Sequence, residues 1–277
     1  MKRAICAVIS VLLVIAMAGC GLSVTTVTTA PASTTANAEE TPAALPTATA
    51  ALSTAPTPTA AEGTPVPTPT PKPDPLTVTK RTLAYSNDYI YVSASYPEIS
   101  GMADTAAQSG INTQVYAYLQ DMAHNIEAGF EINNPDGSYG NYTMESNYEI
   151  KRNDGGILSI RINIIYYNGG ASTGSDCVFI NVINTSPAQQ PTLAELFASD
   201  ADYMTVLNER ISAMIAADPD KEIFDFRGIS ASQWYYLTNT ALVVVFEQYS
   251  IAAGADGEPE FSIPLADLAG ILNPDIL

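Results

Sequence analysis

The sequence predicts an α+β fold: antiparallel sheet of about six to seven strands with two main helices packed against it, in a single domain. Three observations carry this. Several segments alternate apolar and polar residues with a period of two, two segments repeat their apolar residues near every 3.6, and turn residues separate neighbouring strand segments. The order is strand, helix, three strands, helices and three strands, so consecutive strands are expected to pair antiparallel.

In residues 78–97, Tyr89, Tyr91, Ser93 and Ser95 alternate with Ile90, Val92, Ala94 and Tyr96, which describes a half-buried strand that Pro97 is expected to stop. A helix follows over about 110–128. Its Ile111, Val115, Tyr118, Leu119, Met122 and Ile126 share one face, and Gly129 marks its end. Residues 142–151, 157–167 and 176–184 read as three strands. Asn153-Asp154-Gly155-Gly156 is a hairpin signal between the first two, Ile160, Ile162 and Ile164 point to the core, and a longer Gly-rich loop, 168–175, joins the second to the third.

Residues 193–197 read as a short helix and 200–217 as a longer one, with Asp200 as its cap and Tyr203, Val206, Leu207, Ile211 and Ile215 on one side. Strands at 234–237 and 241–246 form a hairpin through Thr238-Asn239-Thr240. Val243 to Phe246 is a continuous apolar run, so this strand is expected to be covered on both faces. It leads through a second Gly-rich loop, 250–258, into a strand that buries Phe261 and Ile263.

Ahead of this region the chain has another character. Lys2 and Arg3, an apolar run and then Met17-Ala18-Gly19-Cys20 resemble a lipoprotein signal with its lipobox, which makes residues 1–20 a signal and Cys20 the expected lipidation site. Residues 21–75 are Thr, Ala and Pro with few large apolar side chains, a composition that cannot offset its ordering entropy. They are expected to form a disordered tether reaching at most about 170 Å if extended. This leaves 76–277 for the domain, and 8 basic against 25 acidic residues fall there. That balance excludes a basic nucleic-acid-binding surface and suits a basic protein partner. Cys177, in the strand-like DCVFINVI, has no cysteine to pair with inside the domain and is expected to be a small buried hydrophobe.

Candidate chemistry is sparse. Gly170-Ala171-Ser172-Thr173-Gly174 matches G-x-S-x-G, but a nucleophile elbow joins a strand to a helix with its His later in the chain. Here the segment lies between strands, and the single histidine, His124, precedes it. His124 is placed near the end of the first helix, where imidazole meets the last carbonyls; one histidine without cysteines is poor zinc chemistry. Asp218, Asp220, Glu222 and Asp225 form the densest acidic cluster, read as a solvated loop because Ile223 stands where a calcium loop needs Gly. No cofactor or metal is called for. Tyr166, Tyr167, Tyr235, Tyr236 and Tyr249 lie beside the two Gly-rich loops, and tyrosine suits recognition because it offers contact area with a polar tip.

The phrases SYPEISG, IIYYNGGASTGSDCVFIN, PTLAELF and WYYLTNTALVVVFEQYSIAAGADGEPEFSIPLADL together resemble one family. It is the extracytoplasmic domain of unknown function shared by RsiV-type, lysozyme-sensing anti-sigma factors and PdaC-type polysaccharide deacetylases. The likeness covers most of 76–277, departing at Ser172, where His is common, and at Ala252-Ala253, where Pro is common. It is to the extracytoplasmic part alone, since residues 1–75 read as signal and tether and not as a sigma-binding segment with a spanning helix. The resemblance implies a non-enzymatic module outside the membrane whose partner is a lysozyme-like hydrolase or peptidoglycan. The expected contact residues are Tyr167, Asn168, Gly169, Gly170, Ser172, Tyr249, Ile251, Ala252, Ala253 and Asp256. An alternative stays open at this point, a peptidoglycan-modifying enzyme or accessory subunit working through paired carboxylates.

Overall fold

The structure, a computed structural model, describes residues 74–133, 141–170, 172–218 and 222–277. The expected signal, lipidation at Cys20 and all but the end of the tether lie outside the described residues, as do Ala171 and Asp220. Among the described residues no helix is long and apolar enough to cross a membrane.

Five strands form the first sheet in sequence order: β1 (Thr77–Ser86), β2 (Ile90–Ser100), β3 (Tyr142–Asp154), β4 (Ile157–Tyr167) and β5 (Gly174–Ile183). The segment read as one strand at 78–97 is therefore two. Between them Asn87 Oδ1 accepts hydrogen bonds from the backbone of Tyr89 and Ile90, at 2.9 and 2.8 Å, a turn built by a side chain without Gly or Pro. Pro97 does not stop β2 but pairs with Lys80 of β1. It is tolerated because β3 has left β2 after Ala94, so at Pro97 the strand has a partner on one side only.

The helix α1 (Thr105–Asn133) follows β2 and returns the chain to the other end of the sheet. In consequence β2 and β3 are parallel, from Ile90 beside Tyr142 to Ala94 beside Ser146, where antiparallel neighbours were expected. α1 also passes through Gly110 and Gly129. It begins at Asp104, whose Oδ1 accepts from the amides of Ala106 and Ala107 at 3.1 and 3.0 Å. His124 accordingly sits well inside the helix, its Nδ1 3.9 Å from Glu127 Oε2. Ile111, Val115, Leu119 and Ile126 pack on Val92, Met144, Ile160, Ile162 and Ile164 to form the first core. β3 turns into β4 through Gly155 and Gly156, whose φ values of 57° and 80° are those of a two-residue hairpin turn.

The second sheet holds β6 (Trp234–Leu237), β7 (Ala241–Val245) and β8 (Glu260–Pro264), all antiparallel, with α2 (Tyr203–Ala217) and a short α3 (Leu265–Leu268). Asp202, not Asp200, caps α2, accepting from Thr205 N at 3.2 Å. β7 is covered on both faces as its sequence predicts. Leu242 and Val244 face the core of α2, while Val243 and Val245 pack with Tyr236, Phe179 and Trp234. Eight strands in two sheets thus stand where six to seven were expected, within the same α+β class.

Candidate functional site

Arg161 organises the junction of the two sheets. It is a lone cation in the buried run ILSIRINII, and its side chain is only 11% exposed. A guanidinium in such a position needs anions, because desolvating an unpaired charge costs several kcal/mol. Glu258 supplies one at 3.1 Å and Glu260 a second in direct contact, both from the chain entering β8. Tyr236 donates to Glu260 Oε2 at 2.7 Å, and Arg161 Nη2 lies 3.3 Å from Cys177 Sγ. Burial pushes the Cys177 thiol up to about 11, with Arg161 opposing, so the cysteine is the protonated small core residue its strand suggests.

One register step further out, the two Gly-rich loops meet. Ser175, at the end of loop 168–175, donates to Glu258 and lies 3.1 Å from Gln248 Oε1. Gln248 Nε2 in turn donates to Gly254 O at 2.7 Å. Loop 250–258 is thereby tied to the mouth of β5 by side chains 73 and 83 residues apart. Tyr249 stands out on this rim. Its φ is 68°, the left-handed region that a bulky residue avoids, and the residue is 60% exposed. The ring lies over Gly254 so closely that a side chain there would collide with it.

The rim continues onto the sheet. Strand register sets Tyr91, Thr143 and Tyr167 in one row across β2, β3 and β4, and Ser93, Glu145, Ile165 and Ser175 in the next. α1 covers the opposite face, and the second sheet covers this one only as far as Arg161 and Cys177. Tyr91 and Ile165 are left 46% and 53% exposed.

The expected contact residues divide. Asn168, Gly170, Ser172, Tyr249 and Asp256 are exposed, and Tyr167, Gly169 and Ala253 are half-buried. Ile251 and Ala252 face inward, 5% and 2% exposed, because residues 223–224 bridge to them and Phe224 N donates to Ile251 O at 3.0 Å. They support the loop and do not form its surface. Tyr235 and Tyr236 are core residues as well, with Tyr235 donating to Pro191 O. Ser172 is an exposed residue between β4 and β5, with no helix following it. Of the acidic cluster, Glu222 and Asp225 are exposed, and Asp225 pairs with Arg227 at 2.7 Å. No three His, Cys, Asp or Glu side chains gather into a metal-holding group among the described residues. Sequence reading missed Arg161, Ser175, Gln248, Glu258 and Glu260. The one signal available was an arginine inside an isoleucine run.

Fold and rim define a class: a two-sheet α+β domain whose exposed loops gather where the sheets join. Within that class the chain is similar to two families in consecutive parts, residues 83–173 matching the family described as "Deacetylase PdaC" and residues 194–266 matching "Protein of unknown function (DUF3298)". It is 26% identical over 197 residues to the anti-sigma-V factor RsiV of Bacillus subtilis (strain 168), a match covering 67% of this chain and 66% of that protein, just under two-thirds of its length. Two solved structures share the fold. A DUF3298 family member from Bacteroides fragilis NCTC 9343 superposes with a TM-score of 0.50 at 17% identity, covering 72% of this chain and 94% of that one. A DUF3298 family protein from Pseudomonas aeruginosa PAO1 gives 0.50 at 16% identity, over 75% and 97%.

Proposed function

We propose that this protein is a non-enzymatic binding module held outside the membrane by a lipid on Cys20, and that its rim of two loops recognises a basic, lysozyme-like cell-wall hydrolase. The observation that supports this most is the joining of loops 168–175 and 250–258 through Ser175, Gln248 and Glu258, beside the exposed and conformationally strained Tyr249. A formal charge of −18 favours encounter with a cationic partner, an attraction that salt weakens. Glu258 and Glu260, where the rim meets the sheet junction, are both engaged by Arg161, which leaves these two carboxylates poorly suited to the acid–base work of an enzyme.

The test is retention of lysozyme on the immobilised full chain, with cytochrome c as a basic control. Lysozyme is expected to be retained strongly at low salt and more weakly at physiological salt, with cytochrome c largely washed away. No retention, or equal retention of both proteins, would sink the hydrolase reading. Release of sugars or acetate from purified cell wall would overturn the non-enzymatic one. Cys20→Ser is expected to move the protein from the membrane fraction to the soluble one.

A further inference from the structure

The first sheet has β1 as its outer strand, four strands away from the loop that ends in β5. β1 pairs with β2 over its whole length without a break in register, from Thr77 beside Ser100 to Ser86 beside Tyr91. Backbone groups in an antiparallel ladder alternate in direction. Asn87 N donates to Ile90 O at 2.9 Å, so the odd-numbered residues of β1 turn to β2. Val78, Lys80, Thr82, Ala84 and Ser86 therefore turn their N–H and C=O groups outward. Val78 is half-buried and the other four are exposed, and among the described residues β1 pairs with no other strand.

Elsewhere in this sheet, free ladder positions are closed from within. Where β3 has left β2, Ser146 donates to Ser95 O at 2.9 Å, Pro97 has no N–H, and Asn112 bonds both Ile99 N and Ile99 O, at 2.9 and 2.8 Å. Along β5, Ile183 exchanges two backbone bonds with Gln189, and Cys177 N is held by Asp176 Oδ1 at 2.8 Å. β1 has none of these devices, and no Pro, Gly or bulge interrupts it. Its cations do not block the edge. Residues on both faces of β1 are exposed, so a strand added beside it would leave Lys80 and Arg81 in water, and Arg81 already pairs with Glu98 at 2.8 Å. An unprotected ladder of this length is a template for another strand.

We propose that the outer edge of β1 pairs antiparallel with β1 of a second copy of this chain, joining two five-stranded sheets across a dyad at Thr82. Two-fold symmetry restricts the choice of register, because a residue and its own copy must meet at the axis. An axis at Arg81 would set arginine against arginine and leave Ser86 unpaired. With the axis at Thr82, Lys80 faces the partner's Ala84, Val78 faces the partner's Ser86, and Arg81 faces the partner's Leu83. All five outward residues of each copy are then bonded, no like charges stand opposite, and two β-branched threonines meet at the centre. Charge also favours this edge. β1 carries Lys80 and Arg81 and no Asp or Glu, in a chain with 29 acidic residues, so two acidic copies repel least where their β1 strands meet. The proposal is independent of the two-loop reading, which involves no residue of β1.

Sedimentation and cross-linking of the full chain, carrying Cys20→Ser so that no lipid gathers the copies, test it. The chain is expected to pass from monomer to dimer as its concentration rises through the micromolar range. Added salt should strengthen the dimer by screening two acidic domains, the opposite of its effect on lysozyme retention. Thr82→Cys is expected to cross-link under mild oxidation, since Cα atoms of a hydrogen-bonded pair lie about 5.5 Å apart, within disulfide reach. Ala84→Cys is not, because the two Ala84 positions are offset by four residues, about 13 Å. Ala84→Lys sets lysine against the partner's Lys80 twice and should weaken the dimer about tenfold, or about 1.4 kcal/mol; Ala84→Glu should tighten it. Both substitutions fall on an exposed position, and lysozyme retention is expected to be unchanged in each. A chain that stays monomeric throughout would overturn the proposal and leave the edge to a strand of another protein. Equal cross-linking at positions 82 and 84, or Ala84→Lys and Ala84→Glu shifting the dimer in the same direction, would overturn it as well.

Discussion

At Tyr249 local preference and observed conformation disagree. A left-handed backbone at a non-glycine residue costs roughly 1–2 kcal/mol, and the residue that bears this cost is 60% exposed. A fold has little reason to keep such a residue for packing alone, since asparagine tolerates the same φ at a lower cost. Tyr249→Asn is therefore expected to change unfolding free energy by less than about 1 kcal/mol, because relief of the backbone strain offsets removal of the ring from its place over Gly254. Lysozyme retention should fall sharply in the same variant. A folded Tyr249→Asn protein that retains lysozyme as well as the native chain would remove Tyr249 from the recognition surface. Asp104 works in the opposite sense, as a residue whose conformation and chemistry agree. Backbone hydrogen bonds from Ala107 and then Ala188 hold its carboxyl below the usual carboxylate range. Because the folded-state value is lowered, the stabilisation is present above the ordinary carboxylate pKa and is lost as pH falls through the folded value. Asp104→Asn is expected to lower the melting temperature at neutral pH and to flatten its decline between about pH 5 and pH 2; parallel curves for the two proteins would argue against that coupling.

Elements differed in how plainly the sequence announced them, and the physical reason is the range over which each is specified. β7 was legible because burial on two faces leaves a continuous apolar run, β4 because Ile160, Ile162 and Ile164 alternate toward the core, and the β3–β4 hairpin because Gly155 and Gly156 supply backbone angles that few other residues adopt. The break between β1 and β2 was hidden, since Asn87 makes that turn with its side chain and no Gly or Pro punctuates it. The limits of α1 were hidden for a related reason. Gly110 and Gly129 look like boundaries, but a helix tolerates each for about 1 kcal/mol when packing of the apolar face offsets the cost. The parallel pairing of β2 with β3 follows from α1 returning the chain, and an order of elements does not say at which end of a sheet a helix delivers the next strand. The rim was legible in part. Each loop announced itself through glycine, whereas the bonds joining them run between Ser175 and residues 73 and 83 positions away, where no local pattern reaches.

For the molecule as a whole, Arg161 makes the two family segments depend on each other. It belongs to β4, inside residues 83–173, and both its carboxylate partners belong to residues 194–266. The same Glu258 that pairs with Arg161 accepts from Ser175, so one charge cluster fixes the sheet junction and the rim together. Buried ion clusters of this kind contribute little net stability compared with apolar packing, but removing one member strands the rest, at a cost of about 3–5 kcal/mol. Arg161→Met should accordingly be strongly destabilising by urea unfolding, and adding Glu258→Gln and Glu260→Gln should restore much of the stability by removing the stranded charges. The restored triple variant is the informative protein. Its junction is held by packing without the ion pairs, so a fall in lysozyme retention would mean that Arg161 positions loop 250–258 against Ser175 for binding. Full retention in that variant would assign the cluster to joining the two segments alone. If each substitution cost the same whether or not the others were present, Arg161 and the two glutamates would not be acting as a unit, and the coupling of the two segments would rest on β5–β6 packing and on the Ser159, Asn181 and Tyr235 hydrogen bonds.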